Sequence, residues 1–190
     1  MPHRPSADAC GTLLHATCVT VNGEGVLLVG PSGSGKSDLA LRLLDESRNG
    51  GAAAGLVADD QVLLRREGDV LLASPPEALA GLLEVRGLGI VPVAHASVAR
   101  VRLVAELKPM AEIERLPEPQ TKVIRLLGIE VAKVEIDPRP ASATARLRVA
   151  LEFVAQAGAN RQNGAFAPRI GSNSAVLALS KRAGARGDWA

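Results

Sequence analysis

Tyrosine is absent from this 190-residue chain, and aromatic side chains make up only 2% of it: Phe153, Phe166 and Trp189. Stacking on unpaired bases therefore has almost no platform, which argues against a nucleic-acid binder. Charge bias is also missing, with 22 Lys and Arg set against 20 Asp and Glu for a net charge of +2. The cations are interspersed with acids, which describes a solvated mixed surface rather than a basic track. Only Cys10 and Cys18 are present, in neither a CxxC pair nor a zinc pattern, and both are expected to be small buried or half-buried thiols. No apolar run approaches a membrane span, and Met1-Pro2-His3-Arg4-Pro5 lacks the apolar stretch of a signal peptide. The expectation is a cytoplasmic protein with no nucleic-acid or membrane partner. Length and a 47% hydrophobic content suit one domain whose core is built from Leu, Val, Ile and Ala without metals or disulfides.

Against these absences stands one complete motif. Residues Gly30-Pro31-Ser32-Gly33-Ser34-Gly35-Lys36-Ser37 read GxxxxGKS, a phosphate-binding loop. The apolar run Val26 to Val29 precedes it, and Leu39, Ala40, Leu43 and Leu44 follow with helical period. Strand, glycine loop and helix are thus in the required order. Glycines let successive N–H groups face one anion, and the helix N-terminus adds a partial positive charge. Lys36 would reach the β- and γ-phosphates of a nucleotide, and Ser37 would offer its hydroxyl to Mg²⁺.

Elsewhere the pattern predicts a mixed α/β chain. Thr17 to Val21 and Val26 to Val29 flank Asn22-Gly23, a hairpin signal. Gly55 to Ala58 reads as a strand ending in Asp59-Asp60, and Val62 to Leu64 with Val70 to Leu72 as a second hairpin. A short helix is expected over Glu77 to Leu83 behind Pro75-Pro76, a strand over Val101 to Leu107, and a surface loop over Lys108 to Gln120. Strands at Val123 to Leu127 and Lys133 to Ile136 lead to a helix over Ala143 to Gln156. Beyond Gly158 only a short helix near Ala175 to Leu179 is indicated. Residues 1–157 are therefore read as one P-loop domain and 158–190 as a C-terminal tail.

Two further clusters bear on chemistry. An acid at the end of the strand after a phosphate loop holds Mg²⁺ or its water, or takes a proton from the attacking hydroxyl, and Asp59 and Asp60 can divide these duties. Strand alternation would send their side chains to opposite faces unless the chain turns there. Leu83-Glu84-Val85-Arg86-Gly87-Leu88-Gly89-Ile90 places an acid and a guanidinium two residues apart ahead of two glycines. On composition alone it reads as a strand edge and a turn. These features leave open a protein kinase, a small-molecule kinase on the same scaffold, or a regulatory module that binds nucleotide without catalysis.

In order and spacing, His15, the loop, Leu56 to Val62 and Leu83 to Ile90 resemble the catalytic domain of the HPr kinase/phosphorylase family. The resemblance spans roughly Leu13 to Gln156. It implies a P-loop kinase fold similar to phosphoenolpyruvate carboxykinase, a mixed sheet with flanking helices, and ATP- and Mg²⁺-dependent phosphorylation of a serine in the phosphocarrier HPr. Roles follow from it position by position. Lys36 would stabilise the transferring phosphate, Ser37 and Glu84 would hold Mg²⁺, Asp60 would act as base, and His15 would tune Asp60. Arg86 lies inside the signature, and Arg115 matches an arginine near the transferred phosphate. Homo-oligomers are implied as well. Pro31 stands where the family usually has an acid. The segment Asp137-Pro138-Arg139-Pro140-Ala141-Ser142 keeps only Arg139 of a basic-glycine motif associated with phosphorolysis, so the kinase direction is favoured.

Overall fold

The computed structural model describes residues 11–115 and 122–162. Eleven strands and two α-helices run through them: β1 (Thr12–His15), β2 (Thr17–Val21), β3 (Glu24–Val29), α1 (Lys36–Arg48), β4 (Ala54–Ala58), β5 (Gln61–Glu67), β6 (Val70–Ser74), β7 (Leu82–Val85), β8 (Gly89–Pro92), β9 (Ala99–Leu107), β10 (Lys122–Leu126), β11 (Ile129–Ile136) and α2 (Ala143–Gln162). The chain divides by compactness after Val154, so that α2 ends in a second unit of which only its last turns are described.

Nine of the strands form one mixed sheet in the order β1-β5-β6-β9-β3-β2-β4, with β11 pairing β9 and β10 pairing β11. Strand β9 is its spine. It runs parallel to β3, parallel to β11 through its second half, and antiparallel to β6 at Ala99 and Arg100. Because β2 is antiparallel to both β3 and β4, those two point the same way without being neighbours. The carboxyl ends of β3, β4, β9 and β11 therefore lie along one edge, where ligands of open α/β sheets bind. The start of β2 lies at that edge too.

The core is built on both faces of this sheet. Val19, Val26, Leu28 and Leu103 pack with Leu39 and Leu43 of α1 and Leu147 and Leu151 of α2. On the opposite face Cys18, Leu27, Val57 and Val104 pack against Val62, Leu64, Leu71 and Ala73 of the β5-β6 arm. Strand β3 is thus buried on both sides, which explains its unbroken apolar run. Burial pushes the Cys18 thiol up to about 12, leaving it unionised and inert. Cys10 lies outside the described residues. Glu46 of α1 accepts from Thr144 Oγ1 at 2.6 Å and pairs with Arg148, tying the two helices together; these partners hold its carboxyl below the usual carboxylate range.

Most expected elements are present, with differences that have local causes. The Asn22-Gly23 hairpin forms with both residues at positive φ, 51° and 82°. The helix expected over Glu77 to Leu83 is a single 3₁₀ turn, Glu77–Leu79. Leu82 and Leu83 instead enter β7, where Leu83 is buried among α1-side residues and the backbone pairs with β8. Helix α2 continues past Gln156 to Gln162, and β11 begins at Ile129 rather than Lys133. Strand β1 was not expected, and the segment Ala175 to Leu179 lies outside the described residues.

Where β3 meets β9, a Cβ built on Gly25 would sit 2.5 Å from the Arg100 carbonyl oxygen, at the bulge between Gly25 and Val26. Gly25→Ala must push two central strands apart. It is expected to cost about 1–3 kcal/mol, read as a lower denaturant midpoint with an unchanged slope.

Candidate functional site

The phosphate loop leaves β3 at the shared edge and enters α1 with Lys36 as its first helical residue. Gly33 at φ 76° and Gly35 at φ 94° supply left-handed steps that a side chain would resist. Pro31 O accepts from the Ser34 N–H at 3.1 Å, closing the turn. Lys36 is buried, and its ammonium donates to the carbonyls of Gly30 at 3.0 Å and Pro31 at 3.1 Å. It thus rests against its own loop.

A cavity of about 370 Å³ opens beside the loop, walled by His15, Thr17, Lys36, Ser37, Asp60, Glu84 and Arg86 among others. Lys36 Nζ lies 3.3 Å from His15 Nε2, and His15 Nδ1 lies 3.0 Å from Asp60 Oδ1 and 3.1 Å from the Asp60 carbonyl. An ammonium can only donate, so Nε2 accepts, and the neutral ring then carries its proton on Nδ1 and donates to Asp60. Lys36, His15 and Asp60 form one line. The pair between His15 and Asp60 is exposed, and its worth is positional more than energetic.

Asp59 behaves differently from its neighbour. It is 6% exposed, and its Oδ1 accepts from Thr17 Oγ1 at 2.7 Å and Ser37 Oγ at 2.9 Å, while Oδ2 accepts from the Glu84 N–H at 3.2 Å. The strand alternation expected to separate the two acids is cancelled by a turn: Asp60 has φ 62°, which keeps both carboxylates at the loop. Because Ser37 spends its proton on Asp59, its lone pairs remain for a cation.

Do these residues fit ATP and Mg²⁺? The loop's left-handed glycines, a lysine resting on carbonyls and oxygen donors from Ser37, Asp59 and Glu84 suit a phosphate-bound hard cation. Ser34 Oγ is buried without a partner among the described residues, which leaves the loop a hydroxyl for a ligand. No three His, Cys, Asp or Glu side chains converge on a metal among the described residues. Phosphate oxygens would have to complete the shell, as is usual for Mg²⁺.

On the loop's other side a second cavity, about 430 Å³, is walled by Ser34, Gly35, Leu107, Pro109, Pro138 and Arg139 among others. Its floor is held by Asp137, which accepts from the Met110 N–H, the Arg139 N–H and the Arg139 guanidinium. The Arg139 guanidinium, chiefly, holds the Asp137 carboxyl far below the usual carboxylate range. Arg42 of α1 donates to the carbonyls of Pro138 and Pro140 and pairs with Asp38, fixing this wall to the helix that follows the phosphate loop.

Of the residues singled out by sequence, His15, Ser32, Gly33, Gly35, Lys36, Ser37, Asp60, Glu84 and Arg86 line the first cavity, and Pro31, Ser32, Gly33, Ser34 and Gly35 the second. Gly30 and Asp59 stand behind them as hydrogen-bond partners. Arg115 is exposed just beyond the Met110–Glu112 turn and lines neither cavity. Thr17, Arg42, Asp38 and Asp137 were not anticipated. Only Asp38, directly after GKS, had a local signal.

Residues 8–169 match the family described as HPr Serine kinase C-terminal domain. The chain is 38% identical over 153 residues to an HPr kinase/phosphorylase of Chlorobium luteolum, covering 74% of this chain and 43% of that protein. It is 39% identical over 140 residues to one from a Geobacillus strain, covering 68% of this chain and again 43% of the relative. The chain therefore spans less than half the length of these relatives. Its fold is similar to the Hpr(Ser) kinase/phosphatase of Coxiella burnetii, with TM-score 0.66 and 25% identity over 76% of this chain and 97% of that one.

Asp59→Ala would leave the buried Thr17 hydroxyl without an acceptor and release the half-buried Ser37 hydroxyl and Glu84 N–H, an expected loss of roughly 1–3 kcal/mol, whereas Thr17→Val should lose only about 1. Chemical denaturation of both variants measures the difference. Asp137 gives a pH prediction. A carboxylate with depressed proton affinity in the fold stabilises it fully above the ordinary aspartate range near 3.8 and progressively less as pH falls below. Asp137→Asn should therefore flatten the acid limb of a melting-temperature profile.

Proposed function

The chain belongs to the HPr serine kinase C-terminal domain family, and on that basis we propose that it is an ATP- and Mg²⁺-dependent protein-serine kinase acting on HPr or a related small phosphocarrier. The observation that carries this reading is the Lys36-His15-Asp60 line on the wall of a cavity beside a complete phosphate loop. A pure binding module has no use for an exposed carboxylate held by histidine at that spot. On this reading the fold is the P-loop kinase type similar to phosphoenolpyruvate carboxykinase, residues 1–157 form the catalytic domain, and 158–190 are a tail.

Each side chain then has a task. Asp60 accepts the proton of the serine hydroxyl as its oxygen bonds to the γ-phosphorus and the bond from phosphorus to the ADP oxygen breaks. His15, donating through Nδ1, keeps the Asp60 carboxylate aimed. Lys36 exchanges the Gly30 and Pro31 carbonyls for phosphate oxygens, and the loop N–H groups and the positive end of α1 steady the triphosphate. Ser37 and Glu84 would hold Mg²⁺, with Asp59 orienting the Ser37 hydroxyl; when bound, the ion neutralises charge on the β- and γ-phosphates. Arg86, on the cavity wall, is positioned to meet the transferring group. Arg115 lines neither cavity, and this reading gives it no task.

Direction also has support in the geometry. Arg139 keeps the one basic charge of the segment tied to phosphorolysis in the resemblance, and Asp137 occupies its guanidinium through both Nε and Nη2. With its guanidinium engaged by Asp137, Arg139 is not free for an incoming inorganic phosphate, which supports reading phosphorolysis as the lesser activity.

The reading predicts that γ-labelled ATP and purified HPr yield phosphoserine. Asp60→Asn should lower kcat by about 10²- to 10⁴-fold while ATP affinity stays within a few-fold. Label on a small metabolite and none on HPr would change the acceptor class. Undiminished turnover in the variant would remove Asp60 as the base.

A further inference from the structure

The second cavity differs in kind from the reactive one. Its charged side chains are all engaged: Asp38 by Arg42, Lys108 by Glu106 and Glu135, and Asp137 and Arg139 by each other. What remains is Leu107, Pro109 and Pro138 together with the backbone of the phosphate loop, and the buried Ser34 hydroxyl, which has no partner among the described residues. Apolar walls around about 430 Å³ suit a flat, uncharged group of small-molecule size. Ser32, Gly33, Gly35 and Asp38 border both cavities, so a phosphate chain that follows the loop reaches from one to the other.

The far wall of this cavity has little backbone pairing to hold it. Pro138 and Pro140 have no N–H, and the one between them, on Arg139, is spent on Asp137 Oδ1 at 3.0 Å. Arg42 of α1 supplies donors instead. Its guanidinium donates through Nη2 to the Pro138 carbonyl and through Nη1 to the Pro140 carbonyl at 3.3 Å, while Nε lies 3.2 Å from Asp38 Oδ2. Pro140 O accepts from the Ala143 N–H as well, at 3.0 Å, so the Pro138 end is the one that leans on Arg42. Arg42 follows Gly35 by two helical turns and shares its face of α1. A Cβ built on Gly35 would come 3.3 Å from Pro138 Cγ, so the buried Pro138 ring rests on the last glycine of the loop. One planar side chain thus sets the spacing between the loop and the wall that faces it.

We infer that Arg42 is a positioning residue for the donor nucleotide: by anchoring Pro138 and Pro140 it sets the second cavity to the width of the nucleoside, while the phosphates lie along the loop. This rests on the kinase reading above and adds how the uncharged end of ATP is held. Arg42 lines neither cavity, so its effect runs through the wall it anchors. Affinity for the nucleoside and affinity for the phosphates are then carried by different parts of the structure and can be separated.

Calorimetric titration of the full chain with ATP and with inorganic tripolyphosphate, each with Mg²⁺ and without acceptor, makes that separation. Arg42→Met keeps the aliphatic stem and loses both donors; it should weaken ATP binding about tenfold and leave tripolyphosphate binding within about twofold of wild type. Arg42→Lys keeps the charge but not the planar fork, so it should also weaken ATP and spare tripolyphosphate. In turnover, KM for ATP should rise while kcat at saturation stays unchanged. Unaltered ATP affinity in both variants overturns the proposal. So does an equal loss for ATP and tripolyphosphate, because Arg42 would then support the phosphate loop itself. Should Arg42→Met fail to fold, Arg42→Lys decides the question by the same comparison. A wild type that binds ATP, with the expected split in the variants, but transfers no phosphate to HPr leaves this inference standing and removes the kinase reading. If the wild type binds neither ATP nor tripolyphosphate, both fall.

Discussion

The Asp59 carboxylate accepts hydrogen bonds from three elements that are distant in sequence: Thr17 at the start of β2, Ser37 in the first turn of α1 and the backbone of Glu84 in β7. Removing it would leave the buried Thr17 hydroxyl with no acceptor and release the part-buried Ser37 and Glu84 donors, so the three elements are held at a common point by these shared contacts. The geometry of the reactive cavity depends on that point. It sets the first turn of the phosphate-loop helix against the signature hairpin and aligns the Ser37 hydroxyl. Asp60, one residue on, is freed for a different role by a single left-handed backbone step.

This division of labour between adjacent carboxylates is placed by sheet topology. Four strands end at the same edge because β2 inserts antiparallel between β3 and β4 and because β9 runs parallel to both β3 and β11. The phosphate loop, the two acids, and the Lys108 and Asp137 segments follow those ends. The phosphate loop lies between two cavities, one bordered by His15 and Asp60 and the other by Pro138 and Arg139. Arg42 extends the control outward: its hydrogen bonds to Pro138 and Pro140 make α1 the support of the far wall as well as the near one.

Some of this was readable along the chain. The GKS loop and the helix after it are local features, since glycine conformation and helical period act over a few residues, and Leu39, Ala40, Leu43 and Leu44 are all buried on α1 as their spacing predicts. Asn22-Gly23 marks its hairpin for the same reason. The helix expected at Glu77 to Leu83 failed because Leu82 and Leu83 gain more from pairing with β8 and packing on α1 than from continuing one turn. Strand β1 carried too little alternation to be seen, although it delivers His15.

The residues by themselves determined that the chain carries a phosphate-binding loop, where that loop lies and which acids follow it, because those depend on backbone freedom and on neighbours within one turn or strand. Tertiary structure alone decided which of Asp59 and Asp60 is buried and which is exposed on the cavity wall. It alone placed Thr17 beneath the former and joined His15 to Lys36 across 21 positions. Those outcomes depend on strand order and register, which are set by burial of the whole sheet and have no signature in any short segment.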